Sequence, residues 1–518
     1  MELNRPRRLE HRRSTVALLG LVAAWCASVL LLRQTVAAAE TDPLAKARAQ
    51  LEASYSQQLA ELAAWCDARD LKPEAAATRA AVIERQPWTL YVVVLDDTGQ
   101  QALSGSENKR ADDWRKRFSA LRVAQADALF QLARQSIRGQ RPSLAYELAL
   151  EALRANTDHE EARRLLGYTR FRGAWHTPFE IKRLRAGYVW HDRFGWLPQA
   201  SVPRYEAGER YYGGRWITAE DEARARSNIR NGWRVETEHY TVTTNVSLEA
   251  GVNLGQRLER LYRAWQQAFA TFGASPDQLV RMFEGRGQPR GSTVRHQAIY
   301  FRDRDEYQAA VGSRLPVDIE TTGLYLSDTR TAYFFPDTDD EGRPDHTSLY
   351  HEATHQLFAE TRPLAETAGR RANFWVLEGI ACYMESFELH DTFDTLGGTR
   401  SPRLEAARHR ALVDGFYVPL GELVTLGIDA LQRDPRIAML YSQSAGLSHF
   451  LMHAHDGRYR DALIEYLSSI YAGEDRISTL AELVGESYSD LDDDYRAFLK
   501  KLPSDAAAAA PQAAAAAQ

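Results

Sequence analysis

Cysteine is scarce in this chain, with three residues in a total of 518. Cys26 lies within an apolar N-terminal run, so only Cys66 and Cys382 remain for a bridge. A disulfide-rich scaffold is therefore excluded. Two alternatives stay open for the pair: one Cys66–Cys382 disulfide in an oxidising compartment, or two separate thiols buried as small apolar groups.

An excess of charge of one sign is also missing, because 64 basic residues face 70 acidic ones and the net charge is −6. Nucleic-acid-binding domains usually carry a basic face or stripe, so the composition argues against a nucleic-acid partner. The chain also has no glycine-rich phosphate loop before a helix and no Gly-x-Ser-x-Gly elbow. Its hydrophobic fraction of 44% is typical of a soluble globular protein, and its length predicts three or four structural units.

The N-terminus has the order of an export signal. Five arginines within residues 5–13 precede an apolar run over residues 16–32, and three alanines follow at 37–39. This order predicts a signal peptide over residues 1–39. The apolar run is near the lower limit for a spanning helix, so an uncleaved inner-membrane anchor is the alternative. Both alternatives place the rest of the chain in the periplasm or outside the cell.

Residues 43–170 have apolar side chains at spacings of three and four, which predicts a helical region. Within it, "LAYELALEALRANTDHEEARRLLGY" resembles a tetratricopeptide-type helical hairpin, whose small alanines let two helices approach closely. The segment "TLYVVVLDD" (89–97) interrupts these helices as a lone strand. Such helices are a candidate surface for a protein partner.

Residues 171–232 are rich in tryptophan and glycine and contain an internal echo. Both "GAWHTPFE" (173–180) and "GRWITAED" (214–221) read Gly-x-Trp-x-Thr followed by an acidic residue. The pattern predicts short β-hairpins with tryptophans packed in their core. An aromatic platform for a ligand is the alternative.

Residues 233–503 mix the two periodicities and predict an α+β domain with a small mixed sheet and many helices. A hairpin is expected over residues 323–335. The acidic loop 337–345 that follows is interpreted as a solvated loop, with calcium binding as the alternative. The Ala-rich tail, residues 504–518, is of low complexity and is predicted to be disordered.

The sequence "TSLYHEATHQLFAE" contains the pattern His-Glu-x-x-His at His351, Glu352 and His355. Residues four apart on a helix lie about 40° apart around the axis, so both imidazoles can bind one zinc ion. Glu352 is rotated by about 100° and reaches the metal-bound water instead. Zinc lowers the pKa of that water to about 7, and Glu352 can then act as the general base.

A second segment, "NFWVLEGIACYMESFE" (373–388), supplies a candidate third ligand. A catalytic zinc ion needs three protein ligands and one open position, and Glu378 on a second helix can complete the set. Gly379 has no side chain, so the metal-bearing helix can pack closely against it. Glu385 lies two turns further along the same face and can accept the second ring N–H of a histidine ligand. An exposed carboxylate at Glu385 is the alternative.

Together, "HEATHQL" and "FWVLEGIACYME" resemble the gluzincin clan of zinc metallopeptidases. More narrowly, they resemble a domain-of-unknown-function family of exported bacterial proteins with thermolysin/aminopeptidase-type zincin domains. The resemblance covers about residues 233–500 and implies a zincin-like domain acting on peptides or proteins. It also implies Zn²⁺ held by His351, His355 and Glu378, with Glu352 as the base.

One departure from the family pattern is the residue four positions after the third ligand, which is often acidic and is Cys382 here. Glu385 is therefore the substitute as the partner of a histidine ligand. By the same resemblance, residues 439–457 correspond to the helix that carries a hydrogen-bond donor for the oxyanion. Tyr441 is the candidate donor, and His449 is its competitor.

These observations predict zinc-dependent hydrolysis of peptide bonds outside the cytoplasm. The alternative is a non-catalytic binding or scaffold protein of the cell envelope that retains the zincin fold. Glu352 separates the two hypotheses, because a purely structural metal site has no use for that carboxylate and would be closed by a fourth protein ligand.

Overall fold

The computed structural model describes residues 42–95, 109–287, 295–314, 321–339 and 341–502. The predicted signal segment 1–39 with its apolar run 16–32, and the Ala-rich tail 504–518, lie outside these residues. The fold is α+β: mainly helical, with several small sheets. None of the helices that the structure describes is both long enough and apolar enough to cross a bilayer.

Residues 43–165 are mainly helical, as the apolar spacing predicts. Pro73 occupies the first turn of the second helix, where its missing N–H costs nothing. The elements of this region are α1 (Pro43–Asp67), α2 (Lys72–Ala80), β1 (Thr89–Val93), α3 (Lys109–Arg138), α4 (Pro142–Ala155) and α5 (Glu160–Leu165).

Strand β1 is not the lone strand that the sequence predicts. It pairs antiparallel with β15 (Phe393–Gly397), from Thr89 opposite Gly397 to Val93 opposite Phe393. Its side chains Leu90 and Val92 are 2% exposed and belong to the main hydrophobic core of the molecule. The helical region is therefore joined by a strand to the part of the chain that carries the zinc-binding pattern.

Three consecutive hairpin–helix units fill the tryptophan-rich segment, one more than the sequence echo indicates. Each hairpin is a separate two-stranded antiparallel sheet with a tryptophan in its second strand. The units are β2 (Thr169–Phe171), β3 (Ala174–His176) and α6 (Pro178–Arg185); β4 (Tyr188–His191), β5 (Gly195–Pro198) and α7 (Val202–Glu206); and β6 (Glu209–Tyr212), β7 (Arg215–Thr218) and α8 (Ala219–Ala225).

The echo has a physical cause in helix capping. Thr177 and Thr218 are the N-caps of α6 and α8, and each hydroxyl accepts the backbone N–H three residues later. Neighbouring units contact each other through equivalent aromatic pairs. The ring centroids of Phe179 and Trp196 of the second unit lie 5.9 Å apart, and those of Tyr205 and Trp216 of the third unit also lie 5.9 Å apart. These contacts favour the interpretation that the tryptophans pack in a core, and not the alternative that they form a platform for a ligand.

A five-stranded mixed sheet follows, in the order β11-β12-β10-β9-β8. Its central pairs β9–β10 and β10–β12 are parallel, and its two outer pairs are antiparallel. The elements of this part are β8 (Trp233–Glu236), β9 (Tyr240–Thr244), α9 (Leu248–Ala268), α10 (Ala270–Gly273), α11 (Pro276–Phe283), β10 (His296–Tyr300), α12 (Arg304–Val311), β11 (Gly323–Leu326), β12 (Thr331–Phe334), β13 (Asp337–Thr338) and β14 (Pro344–Asp345).

Helices dominate the remainder, with β15 as the only further strand among the described residues. The zinc-binding pattern is on α13 (Thr347–Thr361), and the second motif is on α14 (Phe374–Met384). The helices after β15 are α15 (Pro402–Leu412), α16 (Leu420–Leu423), α17 (Ile428–Gln432), α18 (Ile437–Gly457, interrupted from Ala454 to Asp456), α19 (Arg460–Ala472), α20 (Thr479–Val484) and α21 (Tyr488–Lys501).

Candidate metal centre

Helix α13 positions the two histidines as the spacing predicts. It lies against the sheet, where Gln356 donates to the carbonyl oxygen of Gln297 on β10 at 3.0 Å. His351 and His355 project one turn apart on the opposite side, and their Nε2 atoms lie 3.2 Å apart. Both histidine side chains are partly exposed to solvent.

Helix α14 brings Glu378 to the same point. Its Oε2 atom lies 3.4 Å from Nε2 of His351 and 3.7 Å from Nε2 of His355. Burial would raise the pKa of Glu378, but the charge of His355 and hydrogen bonds from both histidines hold it well below its usual range. This carboxylate is therefore ionised, as a metal ligand must be.

The ligand atoms of His351, His355 and Glu378 form a group that can hold a metal ion. Atoms bound at about 2.0–2.1 Å to a tetrahedral zinc ion lie about 3.3–3.4 Å from one another. The observed separations of 3.2, 3.4 and 3.7 Å fit that geometry. Three converging protein ligands leave a fourth position for another molecule.

Gly379 is required by the packing of α14, although on a different side from the one expected. A Cβ atom there would lie 2.6 Å from the carbonyl oxygen of Ser444 and 2.7 Å from Oγ of Ser448, both on α18. The expectation that Gly379 admits the metal-bearing helix α13 is therefore wrong, because the close neighbour is α18. Since α18 also carries Tyr441, this contact sets the position of the site's third helix.

The second ring nitrogen of His351 is also held. Its Nδ1 atom lies 2.9 Å from Oε1 of Glu385, whose side chain is 7% exposed. The alternative of an exposed carboxylate is therefore wrong. Sequence reasoning missed Arg403 on α15, which donates to both oxygens of Glu385 at 2.8 and 3.2 Å. Nothing in the spacing marks Arg403, because it comes from a separate helix.

Cys382 lies close to both His351 and Glu385. Its thiol, His351 and Glu385 bring their ligand atoms within 4.8 Å of one another. Cys382 is fully buried and is not bonded to Cys66, which is also a buried free thiol. The Cys66–Cys382 disulfide is therefore absent, and the alternative of two separate thiols is the one observed.

Glu352 stands outside the group of ligands, as its position on the helix predicts. Its Oε2 atom accepts the backbone N–H of Tyr325, on the edge strand β11, at 2.8 Å. Gly323 of the same strand leaves room for it, since a Cβ atom there would lie 3.2 Å from Cγ of Glu352. Burial raises the pKa of Glu352, whereas the charges of His355 and His351 lower it.

Tyr441 is brought to the site and His449 is not. Burial raises the pKa of the Tyr441 phenol, and the neighbouring Glu378 carboxylate raises it further. His449 is fully buried against the ring of Tyr383, with 4.7 Å between ring centroids. Neither of its ring nitrogens has a hydrogen-bond partner among the described residues.

The acidic loop is used for its own structure. Asp339 accepts hydrogen bonds from the backbone N–H of Glu341 and from the backbone and side chain of Arg343. These bonds close the short hairpin of β13 and β14. The described residues of the loop contribute to neither of the groups that could hold a metal ion, so the calcium alternative gains no support.

No protein-family model matches this chain, and no curated protein matches it either. The similarity to gluzincins therefore remains a resemblance of short motifs. The described structure shows a His/His/Glu group, a carboxylate beside it and a tyrosine next to the glutamate of that group.

Proposed function

We propose that this protein is a zinc-dependent peptidase that acts outside the cytoplasm. One observation carries the proposal: the three ligand atoms of His351, His355 and Glu378 converge at separations that suit a tetrahedral zinc ion with one open position. Nitrogen and carboxylate donors in this combination are typical of catalytic zinc sites. The export signal predicted over residues 1–39 is the basis for the proposed location.

Zinc bound at this site would lower the pKa of a water molecule and polarise the carbonyl group of a substrate. Glu352 is the proposed general base, which takes the proton of the attacking water and delivers it to the leaving amine. Its hydrogen bond from the N–H of Tyr325 fixes the direction of the carboxylate. Tyr441 is the proposed donor to the oxyanion, since its phenol lies beside Glu378 without belonging to the ligand group.

The finer features of the fold belong to the same proposal. A zincin-like domain is supported by the mixed sheet with an antiparallel edge strand beside α13 and by ligands on two successive helices. The hairpin predicted over residues 144–168 corresponds to α4 and the short α5, and the packing of long α3 against almost completely buried α4 also supports a tetratricopeptide-like arrangement. A role of these helices in binding a protein partner is the corresponding hypothesis.

The test is metal analysis of the purified protein together with digestion of a peptide library. The wild type should contain about one zinc ion per chain and cleave peptides. Glu352→Gln should retain the zinc and lose at least about a hundredfold in kcat, because only the proton transfer is removed. The matched control, Glu366→Gln, changes an exposed glutamate just after α13 and should behave as wild type.

Two outcomes would contradict the proposal. If no zinc copurifies and none can be bound, the ligand group is not a zinc site. If zinc binds but neither the wild type nor Glu366→Gln cleaves any peptide, the non-catalytic scaffold hypothesis replaces the peptidase.

A further inference from the structure

A cavity of about 600 Å³ lies away from the metal centre, between the N-terminal helices and the turn that leads into β15. This volume is within the range of pockets that bind small ligands. Side chains from α1, α2, α3, α4 and the β15 turn surround it. The apolar part of its wall includes Ala77, Val82, Phe118, Leu129 and Phe393.

Three arginines line the cavity, and they differ in their partners. Arg85 forms ion pairs with Glu52 and Glu151, so its charge is balanced. Arg122 donates to the carbonyl oxygens of Ala155 at 2.7 Å and of Arg154 at 3.4 Å, which end helix α4. It thus has no carboxylate partner among the described residues.

Arg154 is the third of these arginines, and the carboxylates of Glu151 and Glu52, which line the same cavity, act on its charge. No hydrogen bond or ion pair joins its guanidinium to any residue that the structure describes, although the side chain is half-buried. Burial lowers the pKa of Arg154, and the nearby charge of Glu151 opposes this effect. A half-buried cation of this kind is stabilised by an anion that completes its hydrogen bonds.

Two neutral polar side chains also line this cavity. The amide of Gln125 and the phenol of Tyr55 line the cavity, and no hydrogen bond joins either group to a residue that the structure describes. Burial raises the pKa of Tyr55, while the charges of Arg122 and Arg154 lower it, so both guanidiniums lie close to this phenol. Gln125 offers a donor and an acceptor together, which is the complement of a peptide group.

We propose that this cavity binds the C-terminal end of a peptide whose last residue has an apolar side chain. The terminal carboxylate meets Arg154 with Tyr55 beside it, the last peptide group meets the amide of Gln125, and the apolar side chain lies against Phe118, Leu129 and Val82. The site is separate from the metal centre and does not depend on zinc. It would retain a substrate or product by its end, and not by its scissile bond.

The experiment measures binding to the full chain carrying Glu352→Gln, so that no peptide is consumed. The probes are N-acetyl-Ala-Ala-Leu with a free carboxylate, the same peptide as its C-terminal amide, and dodecanoate, each titrated by calorimetry. We expect the free acid to bind and the amide to bind at least about tenfold more weakly, since a charged hydrogen bond is lost. Adding Arg154→Gln should give the same loss for the acid.

The control is Arg138→Gln, which removes an exposed arginine of the same helical region that does not line the cavity. Its affinity should equal that of the parent. If circular dichroism shows that Arg154→Gln is unfolded, Ala77→Phe decides the matter, because it fills the cavity and should abolish binding. Equal binding of acid and amide, binding of dodecanoate alone, or no binding of any probe would overturn the proposal.

Discussion

At the scale of single residues, His351 is held at both of its ring nitrogens. Nε2 is one of the three ligand atoms, while Nδ1 lies 2.9 Å from Oε1 of Glu385. Arg403 donates hydrogen bonds to both carboxylate oxygens of Glu385. Carboxylate partners of this kind fix the tautomer and the orientation of a metal-binding histidine. Glu385 and Arg403 are therefore positioning residues for the proposed zinc site.

We predict that Glu385→Gln weakens zinc binding by about 10–100-fold, the usual effect of removing such a partner. The measurement is competition with a chelator of known affinity. Glu388→Gln, a neighbouring glutamate whose side chain is 66% exposed, is the matched control. Unchanged affinity in Glu385→Gln would mean that the contact does not orient His351.

Buried His449 should make the unfolding free energy of the protein depend on pH in the acid range. Burial lowers its pKa to about 3, whereas a histidine in the unfolded chain titrates near 6.5. The unfolded chain therefore binds the proton first, so the stability that neutral His449 contributes is complete above about pH 6.5 and is lost as the pH falls towards 3.

We expect His449→Phe to remove this dependence. The difference in unfolding free energy between the variant and the wild type should shift in favour of the variant by about 2 kcal/mol from pH 7.5 to pH 5. The shift amounts to about 1.4 kcal/mol per pH unit below about pH 6.5. Urea unfolding at the two pH values measures it. His409→Gln, at an exposed histidine, should show no such gain. Equal pH dependence of wild type and His449→Phe would show that His449 is protonated in the folded state.

The sequence predicts the residues of the site to the extent that local geometry decides them. His351, Glu352 and His355 follow from helical periodicity alone, and the structure brings Glu378 and Tyr441 to them. Arg403 could not be predicted, because its contact depends on how α15 packs against α14. The same holds for the partner of Gly379: the need for a small residue is visible in the sequence, but the neighbouring helix is not.

At the scale of elements, the crossing of α14 and α18 depends on one glycine. We predict that Gly379→Ala destabilises the protein by about 1–3 kcal/mol, because the new methyl group meets the backbone carbonyl of Ser444, which cannot move like a flexible side chain. Thermal or urea unfolding gives the value. Zinc affinity should fall as well, since α14 carries Glu378.

The matched control is Gly421→Ala in helix α16. A Cβ atom there meets only Cδ2 of Tyr488 at 3.9 Å, an ordinary contact. This substitution should be neutral or stabilise by about 0.4–1 kcal/mol through the unfolded chain. Equal effects of the two substitutions would remove the argument from close packing.

Strand β1 shows where element prediction reaches its limit. Its composition identifies Thr89–Val93 as a strand, yet its partner β15 lies some three hundred residues later in the chain. Periodicity indicates which face of an element is buried, but it does not indicate which other element packs against that face. A pair of strands far apart in the chain therefore leaves no local signal. The second hairpin–helix unit does not show in the sequence echo, because Pro198 stands where the first and third units have a capping threonine.

At the scale of the whole molecule, the predicted boundary at residue 233 is crossed by buried contacts. Besides β1 and its core residues Leu90 and Val92, Arg460 of α19 forms a buried ion pair with Glu147 of α4 at 2.7 Å. Removing one partner of such a pair leaves a buried charge, which costs about 3–5 kcal/mol.

We therefore predict that a chain of residues 233–502 is insoluble or partly unfolded, whereas residues 42–502 fold cooperatively. Circular dichroism and urea unfolding distinguish the two. A chain of residues 233–502 that unfolds in one sharp transition and binds zinc as tightly as the longer chain would show that the predicted domain is independent.

The row of hairpin–helix units has a consequence for how this protein can change in length. The joint between the first and second units, Phe179 on Trp196, has the same form as the joint between the second and third, Tyr205 on Trp216. Removing residues 188–208 in frame would bring Phe179 to Trp216 and restore a joint of the same kind. Duplicating the unit would add one more. The segment thus repeats one type of joint, and a change in the number of units would preserve that type of joint between neighbours.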